Sequence, residues 1–96
     1  MLVLITYDVN TETPAGRKRL RQVSKTCQNI GQRVQNSVFE CEVDAGQLLK
    51  VKDRLIGLIN IETDSLRIYN LGTQSSSKVE HYGAKPSFDV HNPLIV

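Results

Sequence analysis

Asp8 is the residue whose position most directly suggests chemistry, because it closes a strongly apolar segment. Residues 2 to 9 are LVLITYDV, a run of β-branched and large side chains that predicts a central strand covered on at least one side. A carboxylate there can either bond nearby backbone amides or hold a cation. Mg²⁺ accepts one or two protein carboxylates when water and phosphates complete its shell, so a second copy of Asp8 would strengthen the site. The metal hypothesis therefore requires a dimer.

The second candidate is a basic segment over residues 16 to 29. It contains no acid, although the net charge of the whole chain is only +2. A charge run of this kind is compatible with a solvated helix surface, and equally with a face that contacts several phosphates without reading sequence. Because the positive charge is concentrated in this one segment of a nearly neutral protein, it favours a polyanionic partner. The basic residues are Arg17, Lys18, Arg19, Arg21 and Lys25.

Other chemistries have little support in the sequence. Neither glycine-rich phosphate loop motif occurs, and there is no nucleophile elbow or RNA-recognition aromatic string. His81 and His91 have no cysteine or carboxylate at a metal-ligand spacing, so we predict surface or edge histidines. Cys27 and Cys41 match no metal or redox spacing, and we predict two buried thiols in a reducing cytoplasm rather than a disulfide.

The elements that must position these residues follow from hydrophobic periodicity. A helix is predicted from Gly16, with an apolar stripe of three- and four-residue steps, and Gly31 is predicted to end it. Residues 32 to 43 then alternate as strands, with a tight turn at Asn36-Ser37. Asp44 and Gln47 form a capping-box pattern before a second helix. Strands are predicted over 65–71 and, at an edge, over 78–82.

This order predicts an α+β fold, the ferredoxin-like βαββαβ arrangement, with an antiparallel sheet and both helices on one face. The domain is predicted to span residues 1–82. Residues 83–96 form a C-terminal tail whose apolar end, Leu94 to Val96, could dock on a partner protomer. No apolar run approaches the ~20 residues of a membrane span, and no secretory signal pattern is present. We therefore expect a soluble, cytoplasmic protein with no membrane partner.

Three parts of the sequence together resemble the CRISPR-associated protein two family, the small subunit of the bacterial adaptation machinery. They are the pair Tyr7-Asp8 at the end of the first strand, the basic first helix, and GQRVQNSVFE at residues 31–40. SLRIYNLG, residues 65–72, also fits, and the similarity extends over roughly residues 1 to 82.

The resemblance implies a homodimer with a magnesium-dependent endonuclease activity on RNA or duplex DNA. It also implies a complex with the CRISPR integrase that inserts new spacers. Asp8 of both protomers would be the catalytic residue and would hold Mg²⁺. The resemblance assigns nucleic-acid phosphate binding to Arg17, Arg19 and Arg33, and shaping of the site to Tyr7 and Phe39.

Two other functions remain open on the sequence. The first is a non-catalytic dimeric DNA-binding scaffold for the integrase, since basic helices hold DNA without cleaving it. The second is a ligand-sensing regulator, which would need a small-molecule pocket to which nothing in the sequence points. The motif also contains no evident general base. Magnesium-dependent cleavage distinguishes the nuclease from the scaffold, and salt-dependent nucleic-acid affinity distinguishes both from the regulator.

Overall fold

The computed structural model describes residues 1–71 and 78–84. Its elements follow the predicted order of strand, helix, strand, strand, helix and strand, with the additional short strand at the end. They are β1 (Leu2–Asp8), α1 (Pro14–Gln28), β2 (Gly31–Gln35), β3 (Val38–Glu42), α2 (Ala45–Leu58), β4 (Ser65–Asn70) and β5 (Lys78–Gly83). The predicted tail, apart from its first two residues, lies outside the described residues, as does His91.

The five strands form one antiparallel sheet in the order β2-β3-β1-β4-β5. β1 is therefore central, with Ile5 opposite Phe39 on one side and Ile68 on the other. Asp8 lies at the end of β1, opposite Ser65 at the start of β4. The α+β ferredoxin-like prediction is confirmed, and the carboxylate stands at one end of the middle strand.

Alternation along β1 divides the sheet into two faces. Val3, Ile5 and Tyr7 are buried in a core that also includes side chains of both helices, so this is the helix side. The intervening Leu2, Leu4 and Thr6 are half-buried, and Asp8 is exposed. These residues point to the opposite face, which neither described helix covers and which we call the open face. The other core residues of the described chain are Val9, Val23, Cys27, Phe39, Cys41, Val43, Val51, Leu55, Ile59, Leu66 and Ile68.

The boundaries of α1 differ from the prediction. The helix begins at Pro14, because Thr13 caps it and accepts a hydrogen bond from the Gly16 amide at 3.0 Å. It ends at Gln28, so the prediction that Gly31 ends the helix is wrong. Gly31 instead starts β2, where an added Cβ would lie 2.4 Å from the Cys41 Sγ. The glycine is required by the close approach of two strands and not by a left-handed turn.

The other local predictions are confirmed with small shifts. The turn at Asn36-Ser37 joins β2 to β3, and β4 ends one residue earlier than predicted, at Asn70. The capping box of α2 is complete. The Asp44 carboxylate accepts from the Gln47 amide at 2.7 Å, and the Gln47 side chain accepts from the Asp44 amide at 2.9 Å.

Both cysteines are buried and free, as predicted. Burial raises the pKa of Cys27 to about 12 and that of Cys41 to about 11. Since the thiolate is the nucleophile, these thiols are packing groups at neutral pH. Among the described residues, no helix has the length and apolar character needed to cross a bilayer.

Candidate functional site

The Asp8 carboxylate is exposed at the end of β1. Its backbone belongs to the ladder with β4. Within residues 1–71 and 78–84, its side chain makes no hydrogen bond or ion pair, so the alternative of a carboxylate bonded to local backbone amides is not realised in this part of the chain. A carboxylate without protein donors keeps its lone pairs for an external cation or water.

Asp64, which the sequence analysis did not single out, is the opposite case. It precedes β4 on the helix side and is fully buried. Its oxygens accept hydrogen bonds from Arg19 Nε at 2.8 Å, from the backbone amides of Asn10 and Asn60 at 2.9 Å each, and from the Thr63 hydroxyl at 3.1 Å. Burial alone would raise the pKa of Asp64, but the guanidinium and the amides outweigh it, so the pKa lies below its usual value.

These bonds give Arg19 a structural position. Its Nε and Nη2 both point to Asp64, and its side chain is largely covered. Arg19 thereby links α1 to the loop before β4, while the Asn10 amide links the β1–α1 loop to the same carboxylate. Arg17 is exposed beside this loop, and its Nη1 donates to the Thr11 carbonyl at 3.1 Å.

Arg33, Phe39 and Tyr7 form a stacked cluster on the helix side. The Tyr7 and Phe39 rings are 6.1 Å apart at an interplanar angle of 19°. The Arg33 guanidinium lies 5.3 Å from the centre of the Phe39 ring and donates to the Ser24 hydroxyl at 2.7 Å. Packing and hydrogen bonding therefore hold this exposed guanidinium in one orientation.

The Tyr7 hydroxyl is buried and has no hydrogen-bond partner of ordinary geometry among the described residues. Burial raises the pKa of Tyr7, and the nearby Ser24 hydroxyl and Arg33 charge partly offset this effect. The phenol is therefore a neutral donor at neutral pH.

Beside this cluster lies an open groove of about 570 Å³ between α1 and the β2–β3 hairpin. We call it the helix-side groove. Its cationic lining residues come from both elements, and no acid lines it. The lining consists of Tyr7, Leu20, Arg21, Ser24, Lys25, Gln28, Arg33, Asn36 and Ser37.

The structure thus separates residues that the resemblance places in one site. Asp8 lies on the open face, whereas Tyr7 and Phe39 lie on the helix side of the same sheet. Arg33 joins the helix-side cluster, and Arg17 lies near the loop that follows Asp8. Of these residues, Arg17 and Arg19, with its partner Asp64, adjoin the connection that leaves β1.

The open face carries three further polar residues that sequence patterns did not connect with Asp8. Thr6 pairs with Arg67, and Arg67 pairs with His81 on β5, so the three side chains form a row across this face. β5 is the outer strand of the described sheet, which agrees with the prediction of an edge histidine. Burial and the Arg67 charge lower the pKa of His81, which leaves the imidazole neutral at neutral pH.

The described side chains offer part of the ligand shell that a magnesium ion needs. No group of three or more His, Cys, Asp or Glu side chains converges among the residues that the structure describes. Asp8 alone is an unpaired, exposed oxygen donor, which is the ligand type that Mg²⁺ prefers. The residues fit the ion if a second Asp8, water and substrate phosphate complete its shell.

Comparison with known proteins agrees with this architecture. The family model of CRISPR associated protein Cas2 matches residues 1–79. The chain is 64% identical over 95 residues to a CRISPR-associated endonuclease Cas2 of Halalkalibacterium halodurans, covering 99% of each chain. It is 57% identical over 96 residues to a CRISPR-associated endoribonuclease Cas2 of Chlorobaculum tepidum, covering 100% of both.

A solved structure is similar as well. The crystal structure of Streptococcus pyogenes Cas2 superimposes with a TM-score of 0.70 at 61% identity, covering 77% of this chain and 89% of that one. The family model matches most of the chain, and the two relatives are similar over almost its whole length. The chain therefore belongs to the CRISPR associated protein Cas2 family.

Proposed function

We propose that this protein is a magnesium-dependent endonuclease that hydrolyses phosphodiester bonds of RNA or duplex DNA during CRISPR spacer acquisition. The observation that carries the proposal is the exposed Asp8 carboxylate, which has no partner in the described part of the chain and ends the central strand. The relatives named above as an endonuclease and an endoribonuclease support the reaction class.

The proposal requires a homodimer, because the described residues of one chain bring no second acidic or histidine ligand to Asp8. The open face supports this requirement, since apolar Leu2 and Leu4 are only half-buried there and neither described helix covers them. A second copy on this face would bury them and bring a second Asp8 toward the first. Burial of apolar surface contributes roughly 25 cal/mol per Å², so such an interface has a physical driving force.

Asp8 and the two arginines near the loop that follows it would then have defined tasks. Asp8 would hold the metal. Arg17, exposed beside the β1–α1 loop, would contact a phosphate and offset its negative charge. Arg19 would act mainly as a positioning residue, because its bonds to Asp64 hold the loop that follows Asp8.

Mg²⁺, when bound, supplies Lewis-acid polarisation of a phosphoryl oxygen and makes water a better nucleophile at neutral pH. The protein would orient the nucleic acid and offset its charge. Arg33 and the shaping residues Tyr7 and Phe39 would act from the helix side on a part of the nucleic-acid strand farther from Asp8.

The test is cleavage of duplex DNA and of single-stranded RNA, with Mg²⁺ and with EDTA, by the wild type and Asp8→Asn. We expect the wild type to cut only with Mg²⁺, and the variant to lose at least about a hundredfold in rate, equivalent to about 2.7 kcal/mol of barrier. Asp53→Asn is the matched control, because it removes the same charge from an exposed site on α2. It should cut like the wild type.

If neither protein cuts, or both cut equally, Asp8 is not a catalytic ligand. The function would then be the non-catalytic DNA-binding scaffold for the integrase. The exposed basic residues of α1 support that alternative, and salt-dependent binding of uncut DNA would be its signature.

A further inference from the structure

Apart from Arg33 and Tyr7, the residues that line the helix-side groove have no task in the hydrolysis proposed above. The groove lies on the helix side of the sheet, whereas Asp8 points to the open face. Arg21 and Lys25 line it from α1, and Arg33 lines it from β2. Cations on two separate elements that converge on one concave surface are more specific than a solvated charge run on a single helix.

The charge of the groove suits an anion. No acidic residue lines it, so the three cationic side chains keep their attraction for a ligand. Arg33 is held in place by the Phe39 ring and the Ser24 hydroxyl, which lowers the conformational entropy lost when it binds. A guanidinium fixed in this way is suited to bidentate contact with phosphate oxygens.

The remaining lining suits a nucleoside attached to that phosphate. Leu20 and the Tyr7 ring provide apolar surface, and the Asn36 and Gln28 amides can donate to and accept from a base or sugar. The buried Tyr7 hydroxyl, which has no partner of ordinary geometry in the described structure, adds a neutral donor at the wall. A volume of about 570 Å³ falls within the usual range of small-ligand sites.

We propose that the helix-side groove binds a single phosphate-bearing nucleotide unit, separately from the Asp8 site. This inference rests on the proposed action on nucleic acids and adds a second contact with the substrate class. The groove is too small for a duplex and takes one unpaired nucleotide at a time. A nucleotide within a single strand and a free mononucleotide both present this phosphate-bearing unit.

The experiment measures fluorescence anisotropy of a labelled single-stranded oligonucleotide of about ten residues. All proteins carry Asp8→Asn and the buffer contains EDTA, so cleavage cannot affect the result. The groove variant is Arg21→Gln with Lys25→Gln. Its matched control is Arg54→Gln with Lys50→Gln, which removes one Arg and one Lys from exposed positions of α2 outside the groove.

We expect the groove variant to raise Kd about tenfold or more, and to reduce the slope of log Kd against log salt concentration by about 0.7, the value for one lost phosphate contact on a single strand. The control should change Kd by less than about threefold. Gln28→Trp, which fills the groove without changing charge, should weaken binding as well. Melting temperatures measured beside these values exclude unfolding as the cause.

Competition then identifies the source of the ligand. If AMP displaces the oligonucleotide at millimolar concentration and inorganic phosphate does not, the groove also accepts free nucleotides. If neither competes but the groove variant still loses affinity, the ligand is a strand. Equal losses in the groove variant and its control, or no loss in either, would overturn the proposal. Because Asp8 is absent throughout, that outcome leaves the cleavage test untouched.

Discussion

Asp8 and Asp64 are the same side chain at the same end of the sheet, yet their surroundings differ completely. The Asp8 side chain points to the open face, is exposed and has no hydrogen-bond or ion-pair partner in the described part of the chain. Asp64 lies on the helix side, is fully buried and accepts bonds from a guanidinium, two amides and a hydroxyl. Among the described residues, donors satisfy the hydrogen-bonding capacity of the Asp64 carboxylate and not that of Asp8.

The comparison shows how one residue type serves two purposes. A buried carboxylate is tolerated only when charge and donors surround it, so Asp64 is committed to holding two loops and α1 together. Asp8 contributes almost nothing to that network, which leaves its oxygens available for an external ligand. Asp64 therefore holds the loop that follows Asp8 in place, through the backbone amide of Asn10.

The largest effect on stability is expected from Asp64→Ala. This change leaves the Arg19 charge and the Asn10 and Asn60 amides without their acceptor, at a cost of about 3 kcal/mol. Asp8→Ala, the matched substitution, should change the free energy of unfolding by less than about 0.5 kcal/mol. Urea denaturation measures both. Similar urea midpoints for the two variants would contradict the structural role assigned to Asp64 alone of the two carboxylates.

A smaller loss is expected from Gly83→Ala, which tests the backbone beside Asp64. Gly83 has a φ of +107°, and an added Cβ would lie 2.0 Å from the Asp64 carbonyl oxygen. We expect a cost of about 2 kcal/mol from strain and displacement. Gly57→Ala in α2, where an added Cβ meets nothing within 4 Å, should instead stabilise by about 0.5 to 1 kcal/mol. Thermal melts of the two variants should shift in opposite directions.

The smallest effect is in the acid dependence of stability. The pKa of Asp64 is lowered in the folded state, so its contribution is fully present above the unfolded pKa of about 3.9 and is lost as pH falls through the folded pKa. The difference in unfolding free energy between the wild type and Asp64→Asn should therefore narrow below about pH 4. A constant difference down to pH 2 would show that the ionised form has no special stabilisation.

Local sequence was sufficient for most of the fold. Periodic apolar residues predicted both helices and the strands, and Asp44 with Gln47 predicted a cap, because those signals act over a few residues. The prediction that Gly31 ends the first helix was wrong. A glycine after a helix can end it, but it can also allow two strands to approach closely, and Gly31 has the second role. The side chain that requires the space, Cys41, is on a different strand.

The sequence by itself determined the order of elements, the two buried cysteines, and an acid at the end of the central strand. Tertiary structure alone decided which aspartate is buried, because Arg19, Asn10 and Asn60 converge on Asp64 from distant segments. It also decided that Arg33 joins Arg21 and Lys25 around one groove while Asp8 faces the other way. Such groupings depend on strand register and helix packing, which bring together residues that no local pattern connects.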